Sequence, residues 1–252
     1  MKQNESLAET RAVFVLFAQK PNKSEQSPEY GFFCGGFYGR INENSKNAEG
    51  GRSMTNAPKT VLAIHDLPGF GRAALSVIVP VLSTLGVQTV ALPTAVLSTH
   101  TGGLGTPAKL ADPGYGPVAL EHYHRLGVKF DCIYSGYLAD AAQAKLVEQA
   151  FELWPRAFKV VDPVLGDGGR LYSGLGADMV PAMYSLCSKA DRIVPNVTEA
   201  ALLLGDPLPG VGSAEQAAAQ AARLTRVAPQ VVVTGVTGIG GGRYIGCVGA
   251  AP

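Results

Sequence analysis

The sequence is poor in the features that mark membrane proteins, disulfide-linked proteins and nucleic-acid-binding proteins. Its four cysteines, Cys34, Cys132, Cys187 and Cys247, lie far apart and form no CxxC pair, which disfavours a zinc site or a disulfide framework and indicates a reduced, cytoplasmic setting. No apolar run approaches the ~20 residues of a membrane span. The formal net charge is only +1, so no global field attracts nucleic acid or an anionic membrane. We therefore expect small-molecule partners.

Glycine is abundant, and the chain divides into an irregular and a regular part. Its 31 glycines are about 12% of the chain against a usual ~7%, which indicates tight turns and close approach of the backbone to a ligand. Residues 1–58 are rich in Asn, Ser, Glu, Lys and Gly and show no sustained period, so we predict a disordered N-terminal extension. Residues 59–252 are predicted to form the folded domain.

From residue 60 onward, short apolar runs alternate with helical patterns. The segments TVLAIH, VQTVALP, FDCIYSG, FKVVDPV, DRIVPN and QVVVTG are predicted strands, and helices are predicted at about 72–85, 141–153 and 176–188, with two more before QVVVTG. Almost wholly apolar strands that alternate with helices predict an α/β fold of three layers, α/β/α, with a mainly parallel central sheet. Ligands of such sheets bind at the carboxyl ends of the strands.

The loop after the first strand carries a possible dinucleotide fingerprint. Gly69, Gly71 and Ala74 match the G-x-G-x-x-A pattern between a strand and a helix, which would suit a dehydrogenase. That fingerprint also needs an acidic residue about 20 positions on, where the second strand ends in Leu-Pro-Thr at 92–94, so we disfavour this interpretation. Asp66 stands at the carboxyl end of the first strand and can accept a hydrogen bond from a ligand hydroxyl or ring nitrogen.

Two further loops are rich in polar groups. The segment STHTGG at 98–103, which includes Thr101 and Gly102, is either a loop that folds over a polar ligand or an ordinary polar turn. Tyr137 ends the SGY segment after FDCIY, where its ring either stacks on a flat aromatic substrate or packs in the core.

The later strands end in carboxylates, an amide and a hydroxyl. Asp162 and Asp167 stand five residues apart around a glycine turn, a pair that suits magnesium near a polyphosphate. Asn196 and Glu199 open a helix, where they form either a capping pair or a site for hydrated magnesium and phosphate oxygens. Thr234 ends the VVVTG segment, which suits a nucleotide contact but is a weak signal alone.

These loops, in this order, resemble the ribokinase superfamily and, within it, the bacterial pyridoxal and pyridoxamine kinases. The motifs are HDLPGFGR, LPTAVLSTHTGG, YSGYL, VVDPVLGDGGRLY and VPNVTEAALL, and the resemblance covers about residues 60–248. It implies a ribokinase-like fold, a homodimer, and phosphorylation of the 5-hydroxymethyl group of pyridoxal, pyridoxine or pyridoxamine with ATP and Mg²⁺. A hydroxymethylpyrimidine kinase shares the fold and much of the pattern and is the closest alternative.

The resemblance also assigns residues to two subsites. It places Asp66, Thr101, Gly102 and Tyr137 around the vitamin. On the ATP side it places Asp162, Asp167, Val194, Asn196, Glu199 and Thr234. The magnesium ligands among these six are Asp162, Asp167 and Glu199. Asp66 departs from the serine that many pyridoxal kinases carry there, which leaves the preferred vitamer open.

One expected segment is missing from the sequence. Relatives carry a Gly-x-Gly-Asp segment whose amides stabilise the transferring phosphoryl group and whose aspartate takes the hydroxyl proton. None follows Thr234, because the glycines at 238–242 read as a hairpin turn between two strands. We therefore identify no catalytic base and expect the C-terminal part of the fold to be missing. The corresponding alternative is a catalytically impaired fragment or binding protein of low solubility.

Overall fold

A computed structural model describes residues 14–19, 58–102, 104–172, 174–176, 178–208, 213–238 and 244–251. Its strands are β1 (Phe14–Gln19), β2 (Thr60–Phe70), β3 (Gln88–Thr99), β4 (Lys109–Leu110), β5 (Cys132–Ser135), β6 (Phe158–Val161), β7 (Gly166–Asp167), β8 (Arg170–Leu171), β9 (Arg192–Ile193), β10 (Gln230–Gly238) and β11 (Tyr244–Ala250). Its helices are α1 (Leu75–Thr84), α2 (Tyr115–Arg125), α3 (Ala141–Leu153), α4 (Met179–Cys187), α5 (Val197–Leu204) and α6 (Ala214–Leu224).

One nine-stranded sheet organises the described residues, in the order β1-β11-β10-β9-β6-β5-β2-β3-β4. The six central strands, from β10 to β3, run parallel, while β4, β11 and β1 are each antiparallel to the inner neighbour. The chain leaves β2 on one side to form β3 and returns on the other side to form β5. The strand order therefore reverses at β2 and β5, and an α/β sheet opens its ligand crevice at such a point.

Helices cover both faces of this sheet. Successive residues of a strand point to opposite faces, and Leu62 and Val161 lie in a large apolar cluster with residues of α2 to α6. Val61 and Val160 belong to a smaller cluster on the other face, against which Leu82 of α1 packs. The predicted three-layer α/β/α fold with a mainly parallel sheet is confirmed.

The strands and helices agree with the predicted segments except near the first two loops. Helix α3 spans the predicted residues, and the Asp140 carboxylate caps it by accepting from the Gln143 N–H at 2.9 Å. Strands β2 and β3 run further than predicted and remain paired as far as Phe70 and Thr99. Helix α1 consequently starts only at Leu75, after a residue with positive φ.

Strand β4 and helix α2 were not predicted. Glycine and proline alternate through residues 113–117 at the start of α2, and these residues obscure the helical period because both are poor helix formers. No other signal in the sequence marks the two-residue strand β4.

The two ends of the chain contribute antiparallel strands. Strand β11 pairs with β10, which confirms the predicted hairpin, although the connecting residues 239–243 lie outside the described residues. Strand β1 pairs with β11 and lies within the segment 1–58. Most of that segment lies outside the described residues, so its predicted disorder stays a prediction. Within the described part of the chain, no helix has the length and apolarity to cross a membrane.

Candidate active site

A cavity of about 220 Å³ opens where the strand order reverses, between the carboxyl ends of β2 and β5. Its wall is formed by His65, Asp66, Ala73, Ala74, His100, Thr101, Gly102, Tyr137, Val164 and Tyr172. The structure therefore brings together all four residues predicted to surround the vitamin. Of the other six, His100 lies in the STHTGG segment, for which a loop that covers the ligand was one of the two predictions. The remaining five were not predicted as cavity residues.

Asp66 lies at the inner end of the cavity and is only 7% exposed. Its Oδ1 is 2.6 Å from Nδ1 of His65. The pairing of β2 with β3 shifts register between His65 and Leu67, so Asp66 occupies an irregularity rather than a regular strand position. A buried carboxylate with one partner retains lone pairs for a ligand hydroxyl or ring N–H.

His100 holds together the loop that closes one side of the cavity. Its backbone N–H donates to the carbonyl of Phe70 at 3.2 Å, and its Nδ1 accepts from the Gly102 N–H at 3.1 Å. A Cβ on Gly71 would collide with the His100 ring, so glycine is required there both by this contact and by its φ of 102°. The segment is thus an internally bonded turn that also lines the cavity.

Two tyrosines supply flat rings and hydroxyl donors to the cavity. Burial raises the pKa of Tyr137, and the charges of Asp66 and Asp140 raise it further. Burial also raises the pKa of Tyr172, to about 12, with Glu199 acting in the same direction. Both phenols consequently remain protonated donors at neutral pH. Tyr172 follows the β7–β8 hairpin, and its backbone N–H donates to the Leu165 carbonyl at 3.0 Å.

Two carboxylates on the predicted nucleotide side, Asp162 and Glu199, interact electrostatically. The hydroxyl of Tyr134 donates to Oδ2 of Asp162 at 3.1 Å. Burial raises the pKa of Asp162, against the opposing effects of His65 and Tyr134. Burial also raises the pKa of Glu199, and the charge of Asp162 raises it further. The two groups therefore disfavour each other's ionised form.

Asn196 and Glu199 form a complete capping box at the start of α5. The Glu199 N–H donates to Asn196 Oδ1 at 2.9 Å, and the Asn196 N–H donates to Glu199 Oε2 at 2.7 Å. The pair also reaches the preceding loop, because Glu199 Oε1 accepts from the Leu165 N–H at 3.2 Å and Asn196 Nδ2 donates to the Gly166 carbonyl at 2.8 Å. The capping alternative is confirmed, and the same bonds fasten the glycine turn to the helix.

The remaining nucleotide-side residues follow β9 and β10. The N–H of Thr234 donates to the Pro195 carbonyl at 2.8 Å, and Thr234 bridges to Asn196 across the two strand ends. The N–H of Val194 donates to the Val161 carbonyl at 3.0 Å within the sheet. Thr234 and Asn196 are thus neighbours, whereas Val194 offers only its carbonyl and side chain.

The predicted magnesium ligands do not converge as one set. Among the described residues, no three His, Cys, Asp or Glu side chains are placed to share a metal ion, and Asp167 occupies an exposed turn where its Oδ1 accepts from the Gly168 N–H. Magnesium needs only one or two carboxylates, however, with water and phosphate oxygens completing its octahedron. Asp162 beside Glu199 fits that requirement, because a cation would relieve their mutual repulsion.

The fold is that of the ribokinase-like proteins. Residues 122–244 match the phosphomethylpyrimidine kinase family. A Bacteroides thetaiotaomicron protein described as a phosphomethylpyrimidine kinase and crystallised with pyridoxal is 38% identical, with 71% of this chain and 64% of that chain covered and a TM-score of 0.67. The pyridoxal kinase of Lactobacillus plantarum is 36% identical, with 78% and 73% covered and a TM-score of 0.65. The chain belongs to the pyridoxal kinase family.

More distant relatives agree with this assignment. The pyridoxal kinase of Deinococcus radiodurans is 28% identical over 190 residues, which cover 70% of this chain and 61% of that protein. A Leishmania donovani pyridoxal kinase in complex with ADP and pyridoxamine is 25% identical, with 71% and 63% covered and a TM-score of 0.59. The chain thus spans less than two thirds of the length of several relatives.

Proposed function

We propose that this chain takes part in the phosphorylation of the 5-hydroxymethyl group of pyridoxal, pyridoxine or pyridoxamine by ATP. The observation that carries the proposal is the cavity at the reversal of strand order, which gathers Asp66, Thr101, Gly102 and Tyr137. Structures of relatives hold pyridoxal in one case and ADP with pyridoxamine in another, which supports the same pair of ligands here.

The vitamer subsite combines one carboxylate with flat aromatic surfaces. Asp66 accepts a hydrogen bond from the pyridine N–H⁺ or a ring hydroxyl. Because Asp66 is buried, this hydrogen bond is stronger than the same bond would be in water. The rings of Tyr137 and Tyr172 offer apolar faces to a pyridine ring. Thr101 and the backbone of Gly102, in the turn held by His100, cover the ligand from the other side.

The nucleotide subsite follows from the ends of β6, β9 and β10. Asp162, Asn196, Glu199 and Thr234 lie there, and we propose that they receive the polyphosphate and its magnesium. When bound, magnesium neutralises phosphate charge. Asp162 is partly exposed and is the carboxylate we assign to the cation. Glu199 is only 3% exposed, so its role is to hold the loop and add negative charge rather than to be a direct ligand.

Phosphoryl transfer also needs a group that accepts the hydroxyl proton. We assign this role to none of the residues in the two proposed subsites. The residues described here bind and orient the two substrates. We further propose a cytoplasmic homodimer, whose contact includes the exposed apolar side chains of Phe70 and Leu110, 69% and 71% exposed at the end of the β2–β3–β4 arm.

Hydroxymethylpyrimidine is the second candidate substrate. The phosphomethylpyrimidine kinase family match favours it, and a carboxylate at Asp66 suits a pyrimidine amino group as well as a pyridinium. Ring size does not separate the two ligands, because both are single six-membered aromatic rings that carry a hydroxymethyl group.

Calorimetric titration of the chain tests the proposal. Pyridoxal, pyridoxine, pyridoxamine and hydroxymethylpyrimidine are added separately, with and without MgATP, and a coupled ATP-consumption assay follows each mixture. Saturable binding of a B6 vitamer supports the first candidate, and preference for the pyrimidine supports the second. If none of the four ligands binds, with or without MgATP, the assignment of the cavity is wrong.

A further inference from the structure

His65 connects β2 to the residues that follow β5 at the wall of the cavity, a role that was not predicted from the sequence. Its Nδ1 lies 2.6 Å from Oδ1 of Asp66 on its own strand. Its Nε2 accepts from the backbone N–H of Tyr137, beyond the end of β5, at 3.3 Å. One ring therefore contacts the proposed vitamer carboxylate and fixes the backbone of the proposed vitamer tyrosine.

The neighbouring groups determine which ring nitrogen carries the proton. A carboxylate oxygen at 2.6 Å requires a donor at Nδ1, and the Tyr137 N–H requires an acceptor at Nε2. With the proton on Nδ1, the contacts of His65 with Asp66 Oδ1 and with the Tyr137 N–H are hydrogen bonds, and only the 3.0 Å contact of the Asp66 N–H with Nδ1 is not one. In the opposite tautomer, Nδ1 would accept a hydrogen bond from the Asp66 N–H at 3.0 Å. Two acceptors would then face each other at the Asp66 carboxylate, and two donors would face each other at the Tyr137 N–H.

The space around the ring is matched to it. His65 is 7% exposed, and a Cβ on Gly136 would overlap its Cδ2 and Nε2 atoms. Glycine at 136 thus admits the ring between the strands.

We propose that His65 is a positioning residue of the vitamer subsite. It donates from Nδ1 to the Asp66 carboxylate and accepts at Nε2 from the Tyr137 N–H, and it thereby fixes the orientation in which both residues meet the ligand. The identity of that ligand rests on the proposed function. The geometry of His65 does not.

Three substitutions separate the two bonds. His65→Asn places an amide N–H near the former Nδ1 and keeps a donor for Asp66, whereas His65→Gln places an amide oxygen near the former Nε2 and keeps an acceptor for the Tyr137 N–H. His65→Phe fills the space but keeps neither bond. His122→Gln is the matched control, because His122 is exposed on α2 and lies outside the cavity.

The first readout is pyridoxine affinity by titration, with melting temperature as a check on folding. We expect His65→Phe to weaken binding by about 10-fold or more, since a charge-assisted hydrogen bond is lost. His65→Asn should lose least, and His122→Gln should match the wild type. Wild-type affinity in a folded His65→Phe protein would overturn the proposal, as would a loss in His65→Asn as large as that in His65→Phe.

The second readout needs no ligand. Nitrogen-15 chemical shifts of labelled histidine should show the proton of His65 on Nδ1, and Asp66→Asn should change these shifts, whereas a ring that only fills space would show neither. A proton on Nε2 in the wild type would refute the inference. If the wild type binds no vitamer, the proposed function fails while these shifts still decide the role of His65.

Discussion

Removing the side chain of Asn196 should destabilise the protein more than removing an ordinary helix cap. The Asn196→Ala change deletes the cap on Glu199, worth about 1 kcal/mol. It also deletes the 2.8 Å bond from Nδ2 to the buried Gly166 carbonyl, worth about 1 kcal/mol more. We therefore expect the free energy of unfolding to fall by about 2 kcal/mol. Urea unfolding followed by circular dichroism measures this, with an unchanged m-value indicating that only stability has changed.

Ser213→Ala provides the matched comparison. Ser213 caps α6 by accepting from the Gln216 N–H at 3.2 Å, but it is exposed, and its other side-chain hydrogen bond is to the exposed Glu215 rather than to a buried group. Its removal should cost about 0.5–1 kcal/mol. Asn196→Ser, which keeps a side-chain acceptor for the cap and loses the amide donor to Gly166, should fall between the two alanine variants. Equal losses for Asn196→Ala and Ser213→Ala would refute the argument that the capping box also fastens the glycine turn.

Three further changes probe the two subsites. Burial and the charge of Asp162 raise the pKa of Glu199 above its ordinary value of 4.5, so between these two pKa values the folded state binds more protons than the unfolded state. The free energy of unfolding should therefore decline as pH rises through that range. Glu199→Gln should flatten this slope in urea titrations across the same range. Asp66→Asn should weaken vitamer binding by about 10-fold and leave MgATP affinity unchanged, and equal losses in both calorimetric titrations would contradict the subsite assignment. Gly136→Ala should lower the melting temperature, since the new Cβ meets the His65 ring, and an unchanged melting curve would show that the ring is free to move.

The alternation of apolar runs and helical patterns was sufficient to predict the layers of the fold. The central strands are mostly apolar, and α3 has both an Asp cap and buried residues at helical spacing, so local and tertiary preferences agree. The extent of β2 and β3 was not predictable in this way. Their last residues, HDLPGF and TAVLST, have polar, proline and glycine positions, and they remain extended because each is paired with the other.

The candidate site was predictable where strand ends carry single polar residues and unpredictable where side chains meet across strands. Asp66 and Tyr137 directly follow the predicted strand segments TVLAIH and FDCIYSG, so the parallel sheet places them side by side. The role of His65 was not predictable, because its ring packs against Gly136, which lies 71 positions further along the chain. Tyr172 reaches the cavity only through the β7–β8 hairpin, whose strands are two residues each.

The buried charges explain why the two subsites belong to one site rather than to two separate pockets. Asp162 raises the pKa of Glu199, and the charges of Glu199 and Asp162 both raise the pKa of Tyr172, which lines the vitamer cavity. A cation at Asp162 would favour the ionised forms of both carboxylates, and the field at the Tyr172 hydroxyl would change with it. Nucleotide and vitamer affinities should therefore be linked through these three side chains, and any change that magnesium nucleotide makes to vitamer affinity must appear equally in the reverse titration.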